Sequence, residues 1–289
     1  MTYSAKLRAY YYALKPERTY ANVMTTAAGF LFACVWHINW ARLLATLAGT
    51  TLVVMSACAA NNATDRGIDA RMPRTRKRAT ATGEVPVKHV VAIAIVFGVA
   101  GMAILLRYVN TLTTLLGLVG YIDYVVLYAW SKRRTPHSTL IGTISGAIPL
   151  VAGYTAVTGR LDTTALLLGL AMTFWQMGHF YSIAIFRRKD YAAGSLPVWS
   201  VRYGVISTQK WLLFYVMLYF FVVVWLAIRA PGGWMLGVVM STLTLYWLYR
   251  GFVGFRALKP EKWARGMFGL SLVILLAFSA SVAFIPLMP

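Results

Sequence analysis

Long apolar segments alternate along this chain with short polar connections. Segments of about 17–25 apolar residues are long enough to cross the ~30 Å hydrocarbon core of a bilayer as helices. They fall at 20–38, 42–60, 89–106, 111–130, 139–158, 163–186, 211–229, 233–250 and 266–286. The pattern predicts an all-α polytopic membrane protein with about nine transmembrane helices, forming one domain over residues 1–289.

The charged residues lie almost entirely between these segments. The chain has 28 Lys and Arg against 8 Asp and Glu, a net charge of +20, and a mean hydropathy of +0.64. If the N-terminus is cytoplasmic, 24 of the 28 cations fall in or beside 1–19, 61–88, 131–138, 187–210 and 251–265. Because Lys and Arg are retained in cytoplasmic loops, this asymmetry predicts a bacterial cytoplasmic membrane protein with its chemistry facing the cytoplasm. The same distribution argues against nucleic acid as a partner.

One stretch, residues 61–78, joins oxygen ligands to a dense basic run. Asn61, Asp65 and Asp69 recur every four residues, so on a helix they line one stripe over roughly 12 Å. Such a row suits Mg²⁺, which is usually held by one or two carboxylates together with substrate phosphates. Arg66, Arg71, Arg74, Arg76, Lys77 and Arg78 follow and would complement those phosphates. The alternative is a capped helix end followed by an ordinary basic loop.

Further candidate residues lie in and beside other apolar segments. His179 and Asp190 are eleven residues apart, which on one continuous helix places them on the same face, with the His about 16 Å deeper. His179 is otherwise a hydrogen-bonded core histidine. Lys15 and the pair Lys132 and Arg133 are either phosphate contacts or interfacial anchors. Asp123 is a carboxylate inside the fourth segment, and the sequence leaves its role open.

Four motifs in order resemble those of UbiA-type intramembrane prenyltransferases, and within them the heme O synthases. They are NNATDRGIDARMPRTRKR (61–78), Lys132-Arg133 with TLIGTISGAIPLVAGY (139–154), WQMGHFYSIAIFRRKDY (175–191) and KWARGMFG (262–269). The resemblance covers roughly residues 10–280. One departure is Gly178, which stands where the family pattern has Pro before the histidine.

The resemblance implies helices around a central cavity that opens to the cytoplasmic side, with 61–88, 131–138 and 187–210 as active-site loops. It implies transfer of a farnesyl group from farnesyl diphosphate to heme B, with addition of water, to give heme O. Asp65, Asp69 and Asp190 would be the catalytic carboxylates and, with Asn61, would hold Mg²⁺. The implied diphosphate contacts are Lys15, Arg66, Arg74, Lys132 and Arg133, and the implied heme contact is His179.

A water-excluding aromatic lining also follows from this chemistry. The candidates for it are Tyr121, Tyr124, Tyr128, Phe174 and Tyr181, which are otherwise ordinary packing residues. The implied surroundings are the lipid bilayer and the assembly machinery of heme-copper oxidases.

Two other hypotheses compete with heme prenylation. A UbiA-type enzyme acting on a quinone precursor or another aromatic acceptor keeps the fold, but the missing second carboxylate pair and the WQMGH segment weigh against it. A transporter or membrane assembly factor would use the intramembrane acids as an ion path. No inverted repeat with broken helices is visible in the sequence to favour this last reading.

Overall fold

The computed structural model of the protein describes residues 3–287, without the side chains of residues 3, 5 and 6. The outer ends of the predicted domain, residues 1–2 and 288–289, lie outside this range. Throughout residues 3–287 the regular structure is helical, and no strand occurs. The predicted all-α fold is therefore confirmed.

The helices follow one another with short connections. The first seven are α1 (Tyr3–Ala13), α2 (Pro16–Cys34), α3 (Trp40–Asp69), α4 (Ala79–Thr82), α5 (Val87–Tyr108), α6 (Thr111–Ile122) and α7 (Ala129–Ser131), with a π-helix at Asp123–Tyr128 between the last two. The others are α8 (Ser138–Ile141), α9 (Thr143–Thr158), α10 (Thr163–Phe186), α11 (Arg188–Ala193), α12 (Trp199–Arg229), α13 (Trp234–Val253) and α14 (Pro260–Phe284). Short 3₁₀ turns follow α13 and α14 at Gly254–Arg256 and Ile285–Leu287.

Six helical segments among the described residues are long and apolar enough to cross a membrane: Trp40–Asp69, Val87–Tyr108, Thr111–Ser131, Ser138–Thr158, Trp199–Arg229 and Pro260–Leu287. The protein is thus a multi-pass membrane protein. α2, α10 and α13 coincide with three further predicted spans, but they are less apolar and do not meet the same criterion. The count of nine spans stays a prediction.

Local sequence explains where several helices begin. α3, α6 and α10 start after Asn39, Asn110 and Asp162, whose side chains accept hydrogen bonds from backbone N–H groups in the first turn at 2.7–3.0 Å. These residue types are favoured caps because they satisfy N–H groups that the helix leaves unpaired. α2 begins differently, with Lys15 in the left-handed region (φ 52°) and Pro16 in its first turn. This turn directs Lys15 inward rather than along the helix.

α2 and α9 approach each other through two glycines. A Cβ atom at Gly29 would lie 2.1 Å from the carbonyl oxygen of Leu150, and one at Gly153 would lie 2.0 Å from that of Thr26. Small residues at a membrane helix interface allow backbones to meet closely. The two helices are therefore joined at a fixed separation.

α10 ends at Phe186, where its apolar segment was predicted to end. Arg187 leaves helical geometry (φ −104°, ψ 15°), and α11 begins at Arg188. The expectation that His179 and Asp190 share one face of a continuous helix is wrong, because the chain changes direction between them. α10 itself runs unbroken through Gly178, where an added Cβ would lie 2.6 Å from the Trp247 ring. The glycine in place of proline lets this indole pack against the helix.

We predict that Gly153→Ala lowers the thermal stability of the protein in detergent. The new methyl group would meet the backbone of Thr26, which has no rotamer to adjust, and overpacking of this kind costs about 1–3 kcal/mol. The control is Gly269→Ala in α14, where an added Cβ meets nothing within 4 Å. Equal melting temperatures for the two variants would contradict the close contact between α2 and α9.

Candidate functional site

A buried polar cluster lies at the C-terminal end of α3. Lys15 donates from Nζ to Asn61 Oδ1 at 2.6 Å, and Asn61 donates from Nδ2 to Asp65 Oδ2 at 2.9 Å. Lys132 Nζ also donates to Asp65 Oδ2 and forms a buried ion pair with it. The predicted helical spacing of Asn61 and Asp65 is confirmed. Lys15 comes 46 positions before Asn61 and Lys132 comes 67 positions after Asp65, and the fold brings both to this pair.

Burial shapes the charge of this cluster. Burial, together with the smaller effect of nearby Arg18, lowers the pKa of Lys15 to about 7. The pKa of Lys132 is lowered for the same reason, although Asp65 opposes the shift. Because desolvation disfavours an ammonium group, an arriving anion would raise the pKa of Lys15 again. The lysine is thus suited to respond to a negatively charged ligand.

Arginines complete the neighbourhood of the two carboxylates. Arg78 donates from Nη1 to both oxygens of Asp69, at 2.9 and 2.8 Å. Arg133 donates from Nη2 to the Thr64 carbonyl at 2.7 Å and lies 3.6 Å from Asp65 Oδ1. Charge-assisted contacts of this kind hold carboxylates in fixed orientations.

The remaining predicted residues divide into two groups. Asp190 lies in α11, 3.5 Å from Arg187. Burial raises the pKa of the adjacent Tyr191, whereas Arg74, Arg18 and Arg187 counteract the rise. Arg74, Asp190 and Arg18 of α2 therefore all lie close enough to the Tyr191 hydroxyl to act on it electrostatically. Arg66, by contrast, is exposed and lines no cavity in the described chain, so its role stays a prediction.

A central cavity of about 320 Å³ lies directly beyond the cluster, and its wall is mainly apolar. On α3, Val54, Ala57 and Cys58 line the cavity, and Asn61 and Asp65 continue the same stripe at helical spacing. The other walls come from α2, α5, α6, α9, α10 and α14. The polar cluster thus closes one end of an apolar chamber.

Polar and aromatic groups project into this chamber at a few points. Arg18 donates to the Tyr124 hydroxyl at 2.6 Å, and both residues line the cavity with Tyr121. Tyr128, Phe174 and Tyr181 do not border the cavity, so for these three candidates the lining hypothesis is wrong and the packing alternative applies. The Phe174 and Tyr181 rings pack on Tyr215, and the Tyr128 ring stacks on Tyr124.

His179 lines the cavity and contacts Ser271 through Nδ1. The Ser271 hydroxyl oxygen lies 2.6 Å from the Phe268 carbonyl oxygen and 2.8 Å from His179 Nδ1. When Ser271 donates its one proton to Phe268, its oxygen accepts from His179 Nδ1, and Nε2 keeps a free lone pair. The imidazole stacks on Trp175 at 5.0 Å, and the Trp175 indole donates to the Ser271 carbonyl at 2.8 Å. The ring is held on both sides.

Asp123 lies outside the cavity wall. It starts the π-helix in the fourth span, where its Oδ2 accepts from the backbone N–H of Ser145 at 3.0 Å. Ser145 is in the first turn of α9, whose N–H groups lack helical partners. The carboxylate thus caps a neighbouring helix, which gives the buried residue a structural role.

The residues present suit a cation that is held partly through water and phosphate. Among residues 3–287, no three His, Cys, Asp or Glu side chains gather closely enough to bind a metal ion by themselves. Asp65 Oδ1, however, is buried and has no hydrogen-bond partner. Mg²⁺ keeps several waters and usually binds one or two carboxylates together with phosphates. The donor set of Asn61, Asp65 and Asp69 fits such a site.

Two residues of the site escaped the sequence analysis. Arg18 looked like one more basic residue before the first span, and only the position of Tyr124, 106 residues away, reveals its place. Ser271 is one of many serines, and its contact with His179 bridges 92 residues. Neither stands in a chemically distinctive sequence pattern.

The chain is similar to known proteins both in sequence and in fold. The model of the UbiA prenyltransferase family matches residues 22–280. The chain is 40% identical over 283 residues to protoheme IX farnesyltransferase 1 of Shewanella sp. (strain W3-18-1), covering 97% of this chain and 90% of that protein.

Two solved structures share the fold. A structure described in work on digeranylgeranylglyceryl phosphate synthase has a TM-score of 0.77 at 16% identity, covering 96% of this chain and 99% of that one. A UbiA homolog from Archaeoglobus fulgidus, bound to DMAPP and Mg²⁺, has a TM-score of 0.74 at 14% identity, with 94% and 98% covered.

The ion pair between Lys132 and Asp65 yields a testable prediction. Lys132→Met removes one partner and leaves a buried carboxylate, which costs about 3–5 kcal/mol. The double variant Lys132→Met/Asp65→Asn should be more stable than Lys132→Met alone, as measured by thermal melting in detergent. Additive losses in the double variant would show that the two side chains do not interact.

Proposed function

The chain belongs to the UbiA prenyltransferase family, and we propose that it transfers a farnesyl group from farnesyl diphosphate to a vinyl group of heme B. In this reaction the allylic C–O bond breaks and diphosphate leaves. A C–C bond forms to the vinyl carbon, and water adds to the resulting cation with loss of a proton, giving heme O. The observation that carries the proposal is the polar cluster at one end of an apolar cavity.

The polar cluster has the groups that the diphosphate requires. Lys15, Lys132 and Arg133 would bind its oxygens, and Arg18 on the cavity wall extends this set. Arg74, also predicted as a diphosphate contact, lines a separate cavity instead. Lysine and arginine donors fixed before the substrate arrives stabilise the charge that develops on a departing diphosphate. The lowered pKa of Lys15 favours this role, because a bound anion would stabilise the protonated, charged form of its side chain.

Asn61, Asp65 and Asp69, with Asp190 from α11, would hold Mg²⁺ directly or through water. The buried Asp65 Oδ1, which accepts no hydrogen bond, supports this assignment, as does the Mg²⁺ bound in the Archaeoglobus fulgidus homolog. Bound there, the ion would neutralise diphosphate charge and so promote C–O cleavage. Each Asp69 oxygen accepts one hydrogen bond from Arg78 and keeps a second lone pair for the ion or its water.

The apolar cavity would take the prenyl chain and shield the reacting carbon. Val53, Ala57, Leu105 and Ile148 supply aliphatic walls, and Tyr124 covers the end nearest the polar cluster. Exclusion of water preserves a reactive carbocation until the acceptor attacks. Farnesyl diphosphate and heme B are both amphipathic, so both would reach the cavity from the bilayer that the protein crosses.

His179 would contact the heme through Nε2. With Nδ1 bound to Ser271, Nε2 is the ring nitrogen available to heme iron. A histidine that ligates a metal usually has a hydrogen-bond partner that fixes its tautomer and its orientation. Ser271 and Trp175 therefore serve as positioning residues in this proposal.

The active site would face the cytoplasm in a bacterial inner membrane, and the concentration of Lys and Arg in the loops on one side supports this orientation. Release on that side would supply heme O to the assembly machinery of heme-copper oxidases. The runner-up function is prenylation of a quinone precursor by the same fold. The apolar cavity by itself would also suit an aromatic ring, so the acceptor must be tested directly.

We predict that membranes containing this chain convert heme B and farnesyl diphosphate to heme O and do not prenylate 4-hydroxybenzoate. Asp65→Ala and Asp69→Ala should each reduce heme O by at least about 100-fold, since metal-assisted stabilisation of a leaving group is lost. Pigment extraction and chromatography from a host lacking its own heme O would measure the product.

The matched control for these variants is Glu261→Gln, which removes an exposed carboxylate of α14 far from the cavity lining. It should retain heme O formation. Near-normal product from Asp65→Ala or Asp69→Ala would refute the metal assignment, and prenylated 4-hydroxybenzoate without heme O would replace the proposed acceptor.

A second prediction concerns His179. His179→Ala should weaken heme retention on purification more than diphosphate binding. Ser271→Ala should weaken heme retention about tenfold, because a ligating histidine would lose the hydrogen bond that orients it. Ser271→Thr keeps a hydroxyl and should restore both retention and the heme absorption spectrum. His37→Ala, at an exposed histidine before α3, is the control. Unchanged spectra in His179→Ala would remove this residue from the heme site.

A further inference from the structure

A second cavity, also of about 320 Å³, lies between α1, the end of α3, the 70–78 connection and α4. It shares no lining residue with the central cavity. The polar side chains on its wall include Asn62, Arg74, Lys77, Arg78, Thr80 and Glu84. Asn62 follows Asn61 directly and so points about 100° around α3 from the polar cluster. The second cavity therefore lies beside the candidate active site, and Arg78, which is paired with Asp69, stands between the two.

The second cavity has more positive charge than its surroundings neutralise. Arg74, Lys77 and Arg78 contribute three cations against the single carboxylate of Glu84. Arg78 is paired with Asp69. Arg74 and Lys77 form no ion pair or side-chain hydrogen bond with any residue in the part of the chain that is described. Two cationic side chains at this cavity thus remain available to an anion.

Two buried polar atoms at the cavity also lack partners. Thr80 is 3% exposed and its hydroxyl forms no hydrogen bond. Asn62 is 2% exposed; it donates from Nδ2 to the Ala13 carbonyl at 2.6 Å, but its Oδ1 accepts nothing. Buried polar atoms are nearly always hydrogen-bonded, so unsatisfied ones need an explanation. A ligand that both accepts and donates hydrogen bonds would satisfy them.

We propose that the second cavity binds a phosphate ester whose organic part carries hydroxyl or amino groups. Arg74, Lys77 and the Thr80 hydroxyl would donate to the phosphate oxygens. Asn62 Oδ1 and the Glu84 carboxylate would accept from the organic part, which a bare phosphate ion could not offer. A volume of about 320 Å³ lies at the lower end of the usual range for small-molecule sites.

Two sources can supply this chemistry. One is the headgroup of a glycerophospholipid such as phosphatidylglycerol, and the other is a soluble phosphate ester such as glycerol 3-phosphate. α1 borders the cavity and exposes Leu7, Tyr11 and Tyr12. Aromatic and aliphatic side chains on a short basic helix are typical of a membrane interface. Lipid headgroups are therefore within reach of the cavity.

The test uses the full-length protein in detergent. Calorimetric titration compares glycerol 3-phosphate with inorganic phosphate, and native mass spectrometry compares retained phosphatidylglycerol with phosphatidylcholine. The variants are Lys77→Gln, at an exposed position that packing does not depend on, and Thr80→Val, which removes only the hydroxyl. Arg76→Gln is the matched control, since Arg76 is an exposed neighbour that does not line the cavity.

We expect saturable binding of at least one ester, tighter than that of inorganic phosphate, and about a tenfold loss in Lys77→Gln, as expected for one charge-assisted hydrogen bond. Thr80→Val should weaken binding several-fold and Arg76→Gln should not. Preference for phosphatidylglycerol identifies a lipid source, and binding of glycerol 3-phosphate alone identifies a soluble one. Equal loss in Arg76→Gln and Lys77→Gln, no effect of Thr80→Val, or no saturable binding would overturn the proposal. None of these readouts depends on prenyl transfer.

Discussion

The structure depends on pairing two carboxylates that are buried away from water. Asp65 and Asp69 are each less than a tenth exposed, and burying a charged group is costly unless it has a partner. Lys132, Arg78 and Arg133 offset this cost by direct contact, and Asn61 adds a neutral donor. The three cations come from two separate connections between helices, one before α4 and one after α7. The charge requirement therefore determines which loops must converge on the end of α3.

This compensation also explains the sharp boundary between the two halves of the site. The charged partners contact α3 at Asn61 and at Asp65 and Asp69 beyond it. Cys58, Ala57 and Val54, which come before Asn61, border the apolar cavity. A few ångströms along one helical stripe thus separate a region suited to phosphates from one suited to hydrocarbon. In the proposed reaction this boundary would orient an amphipathic substrate, with its diphosphate at the polar cluster and its hydrocarbon chain in the cavity.

Much of this was accessible from the sequence, because it rests on local spacing. The row of Asn61 and Asp65 needs only a helical period, and the apolar segments need only length and composition. The direction of the chain after Phe186 was not accessible, because the apolar segment ends there and the polar residues after it do not show whether the helix continues. Contacts such as those of Ser271 with His179 and of Asp123 with Ser145 depend on which helices become neighbours. No pattern along the chain contains that information.

The glycine contact between α2 and α9 has a consequence for how the cavity can change its width. Backbone meets backbone there, so no rotamer change can widen that wall. Elsewhere on the wall, a Cβ on Gly117 of α6 would meet the flexible side chains of Leu105 and Met102 at 3.5–3.8 Å. α5 and α6 also present their outer faces to the surrounding lipid, with Val99 and Leu106 exposed on α5 and Leu118 on α6. The chamber thus has one rigid side and one compliant side, and the compliant side borders the phase in which a long isoprenoid dissolves.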